Sequence, residues 1–195
     1  MKSQTISDLR KHDPCYDPTR FLPEDWSGTA VDILKIRTYP AADRIWMVTR
    51  PGLFYSDKQL RIFACNCADR ALARVKNPDQ RSLDAVKIAK RYAEGKATKD
   101  ELNAAAADAA AAADDAAYAA AADVDAADAA AAYAAADAAY AAAYAADAAD
   151  VDAADAAAAA AYADATYERE VQIQELIKLT ETGETRSVTK HKEAT

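Results

Sequence analysis

Residues 98–122 read TKDELNAAAADAAAAADDAAYAAAA, and the same small alphabet continues to Tyr167. From Asp100 to Tyr167 the chain has 68 residues, of which 14 are acidic and none is Lys, Arg, Gly or Pro. Alanine is the best helix former, and nothing in this segment breaks a helix. The segment therefore predicts an all-α protein in which a helical N-terminal region is followed by long Ala-rich helices with a dense row of carboxylates.

An internal repeat within the Ala-rich segment bears on how its helices are arranged. The nine residues ADVDAADAA occur at 122–130 and again at 149–157, a period of 27. Clustered aspartates favour helix starts and turns, so the two Asp-Val-Asp runs are candidate corners. Corners there predict an antiparallel helical bundle. The alternative is one long helical rod, because Tyr144 and Tyr162 keep the same helical face on either side of the second run.

Charge divides the chain into parts of opposite sign. Residues 1–99 hold 19 basic and 12 acidic side chains, a net charge of +7, whereas residues 100–167 carry −14. We expect a basic N-terminal helical domain (1–97), an acidic Ala-rich helical region (98–181) and a disordered tail (182–195). This polarity indicates either two surfaces with different partners or one half folded against the other.

The basic N-terminal part is predicted to form short helices between loops. Three prolines keep residues 13–25 extended or turned. A capping box at Ser56–Gln59 starts a helix through about Val75, and a second box at Thr98–Glu101 starts the Ala-rich region. Other helices are predicted at Thr29–Ile36, Ala41–Thr49 and Arg81–Glu94. The buried stripe expected on the helix after Ser56 consists of Leu60, Phe63, Cys67 and Ala71.

The C-terminal part changes character after the alanines. Val171, Ile173, Leu176, Ile177 and Leu179 form an apolar segment of the ordinary kind. We expect this segment to close the bundle.

Little in the chain points to catalysis, and we predict a non-enzymatic protein without a cofactor or a metal. The two histidines, His12 and His191, lie in flexible or terminal segments, where a general base is not expected. Cys65 and Cys67 fall on different sides of a helix, so their thiols cannot share a metal, and we place them in or near the core. Asp-x-Asp-x-x-Asp occurs twice, but the Gly turn and Glu of a calcium loop are missing.

Composition also bears on localisation. The three cysteines form no disulfide framework, and the N-terminus lacks the apolar core of a signal peptide. The longest uncharged run in the Ala-rich region is nine residues, Ala138–Ala146, too short to span a membrane. We therefore expect a cytoplasmic protein that does not enter the membrane.

The acidic half restricts the choice of partner. Twelve aspartates from Asp108 to Asp164 hold their charges close to the backbone. Phosphate repels carboxylate, so this half is not expected to bind nucleic acid directly. A rigid array of carboxylates can instead imitate a phosphate backbone and occupy a cationic groove of a protein. Drift by single base changes in an alanine-coding repeat would yield the same residue types and is the competing explanation.

Four blocks of the N-terminal half occur in a recognisable order. They are PAADRIWMV (40–48), LRIFACNCADRAL (60–72), NPDQRS (77–82) and YAEGKATKDEL (92–102). In these blocks the chain resembles an alanine-repeat family of bacterial and phage genomes that is labelled as immunity proteins. The resemblance spans residues 15–167 and implies a helical, non-enzymatic protein, without binding residues to transfer. Family repeats usually mix Trp, Arg and Glu with the alanines, whereas only Asp, Tyr and Val intervene here.

The leading hypothesis is an inhibitor or immunity-type protein that binds a basic partner. The partner would be a toxin or defence protein that acts on nucleic acid, and the role would be anti-defence if the gene is viral. The predicted partner-binding residues are Asp123, Asp125, Asp128, Asp137, Asp147, Asp150, Asp152 and Asp155.

Two alternatives stay open. One is a structural homo-oligomer in which the basic half of one subunit packs on the acidic half of another. The other is a pocket for a small anionic signalling molecule, in which arginines would be the anion ligands. The candidate ligands are Arg44, Arg50, Arg61 and Arg70.

Overall fold

The computed structural model describes residues 2–122 and 165–183, and within them the chain is helical apart from one short two-stranded sheet. The helices are α1 (Ile6–Arg10), α2 (Ala30–Leu34), α3 (Ala41–Val48), α4 (Asp57–Leu72), α5 (Gln80–Ala93), α6 (Lys99–Ala122) and α7 (Ala165–Thr182). The all-α prediction is confirmed. Both candidate corners and the predicted tail beyond Gly183 lie outside the described residues.

Both predicted capping boxes are formed. At the start of α4, the Ser56 amide donates to Gln59 Oε1 at 2.9 Å, and the Gln59 amide donates to Ser56 Oγ at 3.3 Å. At the start of α6, the Thr98 amide donates to Glu101 Oε2 at 2.6 Å and the Glu101 amide to Thr98 Oγ1 at 3.2 Å. Each box satisfies two backbone amides that a helix start leaves without partners. The local sequence therefore determines where the two longest N-terminal helices begin.

Helix α1 and the small sheet in the first 30 residues were not predicted. Helix α1 begins at a capping box in which the Thr5 and Asp8 side chains bond each other's backbone amides. A single 3₁₀ turn, Pro18–Arg20, lies within residues 13–25, which were expected to be extended or turned. Strand β1 (Gln4–Thr5) pairs with strand β2 (Ser27–Gly28) in an antiparallel register and ties the N-terminus down. A two-residue strand is too short to give a periodic sequence signal.

Helix α4 forms the centre of the core. Leu60, Phe63 and Cys67 are completely buried, and Ala71 is nearly so, which confirms the predicted stripe. The helix ends at Leu72, one turn before the predicted end at Val75. The residues after Leu72 continue as hydrogen-bonded turns, so the apolar pattern extends beyond the regular helix.

Helices α5 and α6 form an antiparallel hairpin. Gly95 ends α5 in the left-handed conformation, with φ of 73°, as the predicted helix stop requires. The Gly95 amide donates to the Tyr92 carbonyl at 2.9 Å. At the other end of the hairpin, Arg81 of α5 forms an ion pair with Asp115 of α6 at 2.8 Å. The connection is short, so the two helices are neighbours in space as well as in sequence.

Helix α7 returns to the N-terminal half and packs against α2, α3 and α4. Its Leu176 belongs to the same hydrophobic cluster as Leu102 near the start of α6. A straight helix would separate these two leucines by about 110 Å. The described helices α6 and α7 are therefore not the two ends of one straight rod. The described parts of the basic half and the acidic half share one core.

Candidate functional site

The described part of the Ala-rich region has one buried face and one acidic face. Leu102 and Ala109 of α6 are completely buried in the main core, and Ala112 and Ala113 are buried in a small cluster of their own. The opposite half of the helix carries exposed carboxylates. They belong to Asp100, Glu101, Asp108, Asp114 and Asp115. We refer to these five residues as the acidic face of α6.

The charges of this acidic face are held in place by the first helical turn and by α5. Hydrogen bonds from the Thr98 amide and hydroxyl lower the pKa of the Glu101 carboxyl, so that it stays ionised. Asp115 pairs with Arg81, although both side chains are well exposed, and a pair of this kind contributes little stability. No Lys or Arg occurs between Lys99 and Arg169, so no basic side chain of this segment can neutralise its carboxylates.

The eight predicted partner-binding aspartates all lie outside the described residues. They are Asp123, Asp125, Asp128, Asp137, Asp147, Asp150, Asp152 and Asp155. Both Asp-x-Asp-x-x-Asp motifs fall within the same range. The partner-binding assignment stays a prediction.

A second cluster of charged residues is buried between α4 and α7. Glu168 is completely buried and accepts ion pairs from Arg70 at 2.8 Å and from Arg74 at 2.9 Å. Glu175 is also buried, pairs with Arg70 at 2.9 Å and accepts a hydrogen bond from Asn66 Nδ2 at 2.6 Å. Every carboxylate oxygen of the two glutamates therefore has a charged or amide donor. We call these residues, with Gln172, the buried network.

The order of the pairs shows how α4 and α7 are aligned. Asn66 meets Glu175, Arg70 meets both glutamates, and Arg74 meets Glu168. Positions rise along α4 as they fall along α7, so the two helices are antiparallel. Gln172 completes the cluster by donating to Glu168 Oε1 at 3.1 Å. Burial raises the pKa of the Glu175 carboxyl, and the charge of Arg70 and the Asn66 bond oppose this shift.

Sequence reasoning missed the buried network. Glu168, Gln172 and Glu175 recur at intervals of four and three, which is the spacing of one helical face, and a polar face is normally exposed. The signal that could have revealed them is the matching polar stripe on α4, where Asn66 and Arg70 are four residues apart. Two complementary polar stripes indicate pairing only once the helices are known to be neighbours.

The four candidate anion ligands all have partners inside the chain. Arg44 is buried on α3 and donates to the Leu34 carbonyl at the end of α2. The Arg50 guanidinium lies 4.4 Å from the centroid of the Trp46 ring. Arg61 is buried, 5.2 Å from the Tyr92 ring centroid, and Arg70 belongs to the buried network. Arg44 lies on α3, Arg50 follows that helix, and Arg61 and Arg70 lie on α4, each in a contact of its own. Binding of a small anion by this set stays a prediction.

The cysteines are placed as expected. Cys65 and Cys67 are completely buried, whereas Cys15 is exposed. Burial raises the pKa of the Cys65 thiol to about 12 and that of Cys67 well above its usual value. Both buried thiols are therefore protonated and behave as small apolar side chains. Within residues 2–122 and 165–183, no group of three or more metal-binding side chains is close enough to hold an ion.

A cavity of about 200 Å³ opens beside the C-terminal end of α7. Lys2, Tyr55, Gln59 and Thr180 supply its polar lining. The Tyr55 hydroxyl donates to the Leu176 carbonyl at 3.0 Å and lies 2.8 Å from the Thr180 hydroxyl. Lys2 donates to the Gly52 carbonyl. Lys2, Tyr55 and Thr180, which line the cavity, therefore already form hydrogen bonds within the chain.

Comparison with known proteins finds no match to a family model, to a curated protein or to a solved structure. The resemblance to alanine-repeat immunity proteins is accordingly left as a prediction. No helix in the described ranges is both long enough and apolar enough to cross a membrane.

Proposed function

We propose that this protein is a non-enzymatic inhibitor of the immunity type, which binds a basic protein partner through its Asp-bearing helices. The observation that carries the proposal is the orientation of α6. Its apolar stripe is anchored in the core, and its carboxylates, among them Asp108 and Asp114, face outward. A partner would therefore meet an ordered acidic surface.

Physical chemistry narrows the partner to proteins with a cationic groove. Short aspartate side chains on a helix present charge with little conformational freedom to lose on binding. Electrostatic complementarity then speeds association and suppresses wrong partners. Toxins and defence enzymes that act on nucleic acid have such grooves, and the resemblance to immunity proteins supports the same class of target.

The test begins with capture by the full-length protein from an extract, followed by calorimetry with the purified partner. Affinity should fall at least about tenfold between low and high ionic strength, because screening weakens contacts between exposed charges. A flat response to salt would remove electrostatic recognition from consideration.

A pair of matched variants locates the surface. Asp108→Asn with Asp114→Asn removes two charges from the acidic face of α6, and Asp25→Asn with Asp84→Asn removes two exposed charges elsewhere. The first variant should lose more affinity than the second. A third variant with Asn at the eight predicted partner-binding aspartates should lose the most. Equal losses for the matched pair would contradict a specific role for α6.

A second candidate function is a homo-oligomer built from acidic and basic surfaces. The Arg81–Asp115 pair favours it, because it shows that the basic surface of α5 and the acidic face of α6 can meet within one chain. The same kind of contact between chains would give an assembly sensitive to salt. Light scattering over a range of protein and salt concentrations tests this candidate, and a strict monomer at high concentration would rule it out.

A further inference from the structure

The buried network places two carboxylates on the face of α7 that packs against the core. Glu168 and Glu175 both lie on the face of α7 that enters the protein, beside Leu176 and Leu179. Taking two carboxylates and a guanidinium out of water has a large desolvation cost, which their mutual attraction only approximately offsets. The apolar residues of α7 therefore provide most of the favourable free energy of its docking.

Helix α4 differs from α7 in this respect. Its buried positions form an almost continuous series from Leu60 to Ala68 and include only Arg61 and Asn66 as polar members. It packs against α5 as well as α7. The core around α4 thus has ample apolar contact without α7, whereas α7 has α2, α3 and α4 as its only substantial contacts among the described elements.

The network does set the alignment of α7. Asn66 and Arg70 can satisfy Glu175 only when α7 is antiparallel to α4 and in one register. A shift of one helical turn would leave a carboxylate buried without its donors, and an uncompensated buried charge is strongly destabilising. Docking is therefore specific in position while being limited in strength.

We propose that α7 is a detachable clasp, which the Arg70–Glu168–Glu175 network positions and which opens as a unit while α1 to α6 stay folded. Helices α6 (Lys99–Ala122) and α7 (Ala165–Thr182) are both seated on one core. An open clasp separates α7 from the core that it shares with α6. The clasp is a property of the isolated chain, so its test needs no partner.

Native-state hydrogen exchange on the full-length protein is the test. Amides of α7 should exchange through an opening that is less costly, and less sensitive to denaturant, than the opening that exposes amides of α4 and α5. Identical opening free energies and denaturant slopes for α7 and α4 would overturn the clasp. This measurement on the unmodified chain is decisive even if a variant fails to fold.

Two variants show whether the network positions the clasp. Glu168→Gln keeps the shape of the side chain and removes its charge, and exchange in α7 should accelerate on the order of 100-fold. Exchange in α5 should accelerate by no more than the same factor, because the larger opening that exposes α5 includes the release of α7, and the opening free energy of α7 should stay below that of α5. Arg81→Gln is the matched control, since it breaks an exposed pair and should leave α7 unchanged. No acceleration in α7, or a larger acceleration in α5 than in α7, would overturn the role of the network.

Discussion

Arg70 and Glu168 are 98 residues apart in the sequence and form an ion pair of 2.8 Å in the interior, where Glu168 is completely buried. Arg70 also holds Glu175, so one guanidinium joins α4 to two turns of α7. The pair connects the basic half of the chain to the segment that follows the alanines. It is one of the contacts that join α7 to the N-terminal part of the chain in the described structure.

Removal of Arg70 should be far more damaging than removal of an exposed arginine. Arg70→Ala leaves Glu175 with only Asn66 as a donor, and we expect a loss of about 3–5 kcal/mol in the free energy of unfolding. Arg81→Ala, which breaks two exposed pairs, should cost about 0–1 kcal/mol. Urea denaturation of both variants measures the difference. Similar small losses would show that the buried network contributes little.

The stability contributed by Glu175 should decrease as pH rises. Burial raises its folded-state pKa above the usual 4.5, so the folded protein keeps this proton at pH values where the unfolded chain has lost it. The contribution is complete below the unfolded pKa and is lost as pH rises through the folded pKa. Glu175→Gln cannot titrate, so the wild type should lose stability relative to this variant over that window. Urea denaturation at a series of pH values tests this, and an unchanging difference would contradict it.

The capping box of α6 predicts a modest, local effect. Thr98→Ala removes the hydroxyl that accepts a hydrogen bond from the Glu101 amide. The substitution should lower the free energy of unfolding by about 1 kcal/mol. Thr98→Ser keeps the hydroxyl and is the matched control. Thermal unfolding followed by circular dichroism compares them. Equal stability of the Ala and Ser variants would mean that α6 is held by packing alone.

Tyr55 and Thr180 should be energetically coupled. Their hydroxyls are 2.8 Å apart, and the Tyr55 hydroxyl also donates to the Leu176 carbonyl of α7. Tyr55→Phe should cost about 0.5–1.5 kcal/mol, because the Leu176 carbonyl loses one of its two side-chain donors and keeps only the Thr180 hydroxyl. A double-mutant cycle with Thr180→Val should give a smaller combined loss than the sum of the two single losses. Additive losses would show that the hydroxyls do not interact.

Thiol labelling should distinguish Cys15 from the other two cysteines. An exposed thiol reacts readily, whereas Cys65 and Cys67 are buried and protonated. One equivalent of an aromatic disulfide reagent should react quickly with the native protein, and all three thiols should react in denaturant. Cys15→Ser should abolish the fast phase. Fast reaction of more than one thiol would contradict the placement of Cys65 and Cys67.

The sequence predicted those elements whose signals are local. The boxes at Ser56 and Thr98 and the glycine at Gly95 specify helix ends through contacts within a few residues, so α4, α5 and α6 were placed within a turn. The β1–β2 pair was missed, because Gln4 and Gly28 meet only in the folded chain. The positions of alanine and aspartate along α6 indicate its acidic face, but they do not indicate that α5 packs beside it.

Composition and short-range pattern determine the helix content of this protein, because helix propensity and capping depend on neighbouring residues. They also determine the sign of the net charge of each half and the lack of helix breakers between Asp100 and Tyr167. The inward position of Glu168 and Glu175 was decided by tertiary structure alone. A carboxylate can be buried only where donors compensate for its lost hydration. Here the donors to Glu168 are Arg70 of α4 and Arg74 of the turn after α4, both more than ninety residues away in the sequence. The same long-range packing, which puts Leu102 and Leu176 into one core, distinguishes a folded-back chain from a rod.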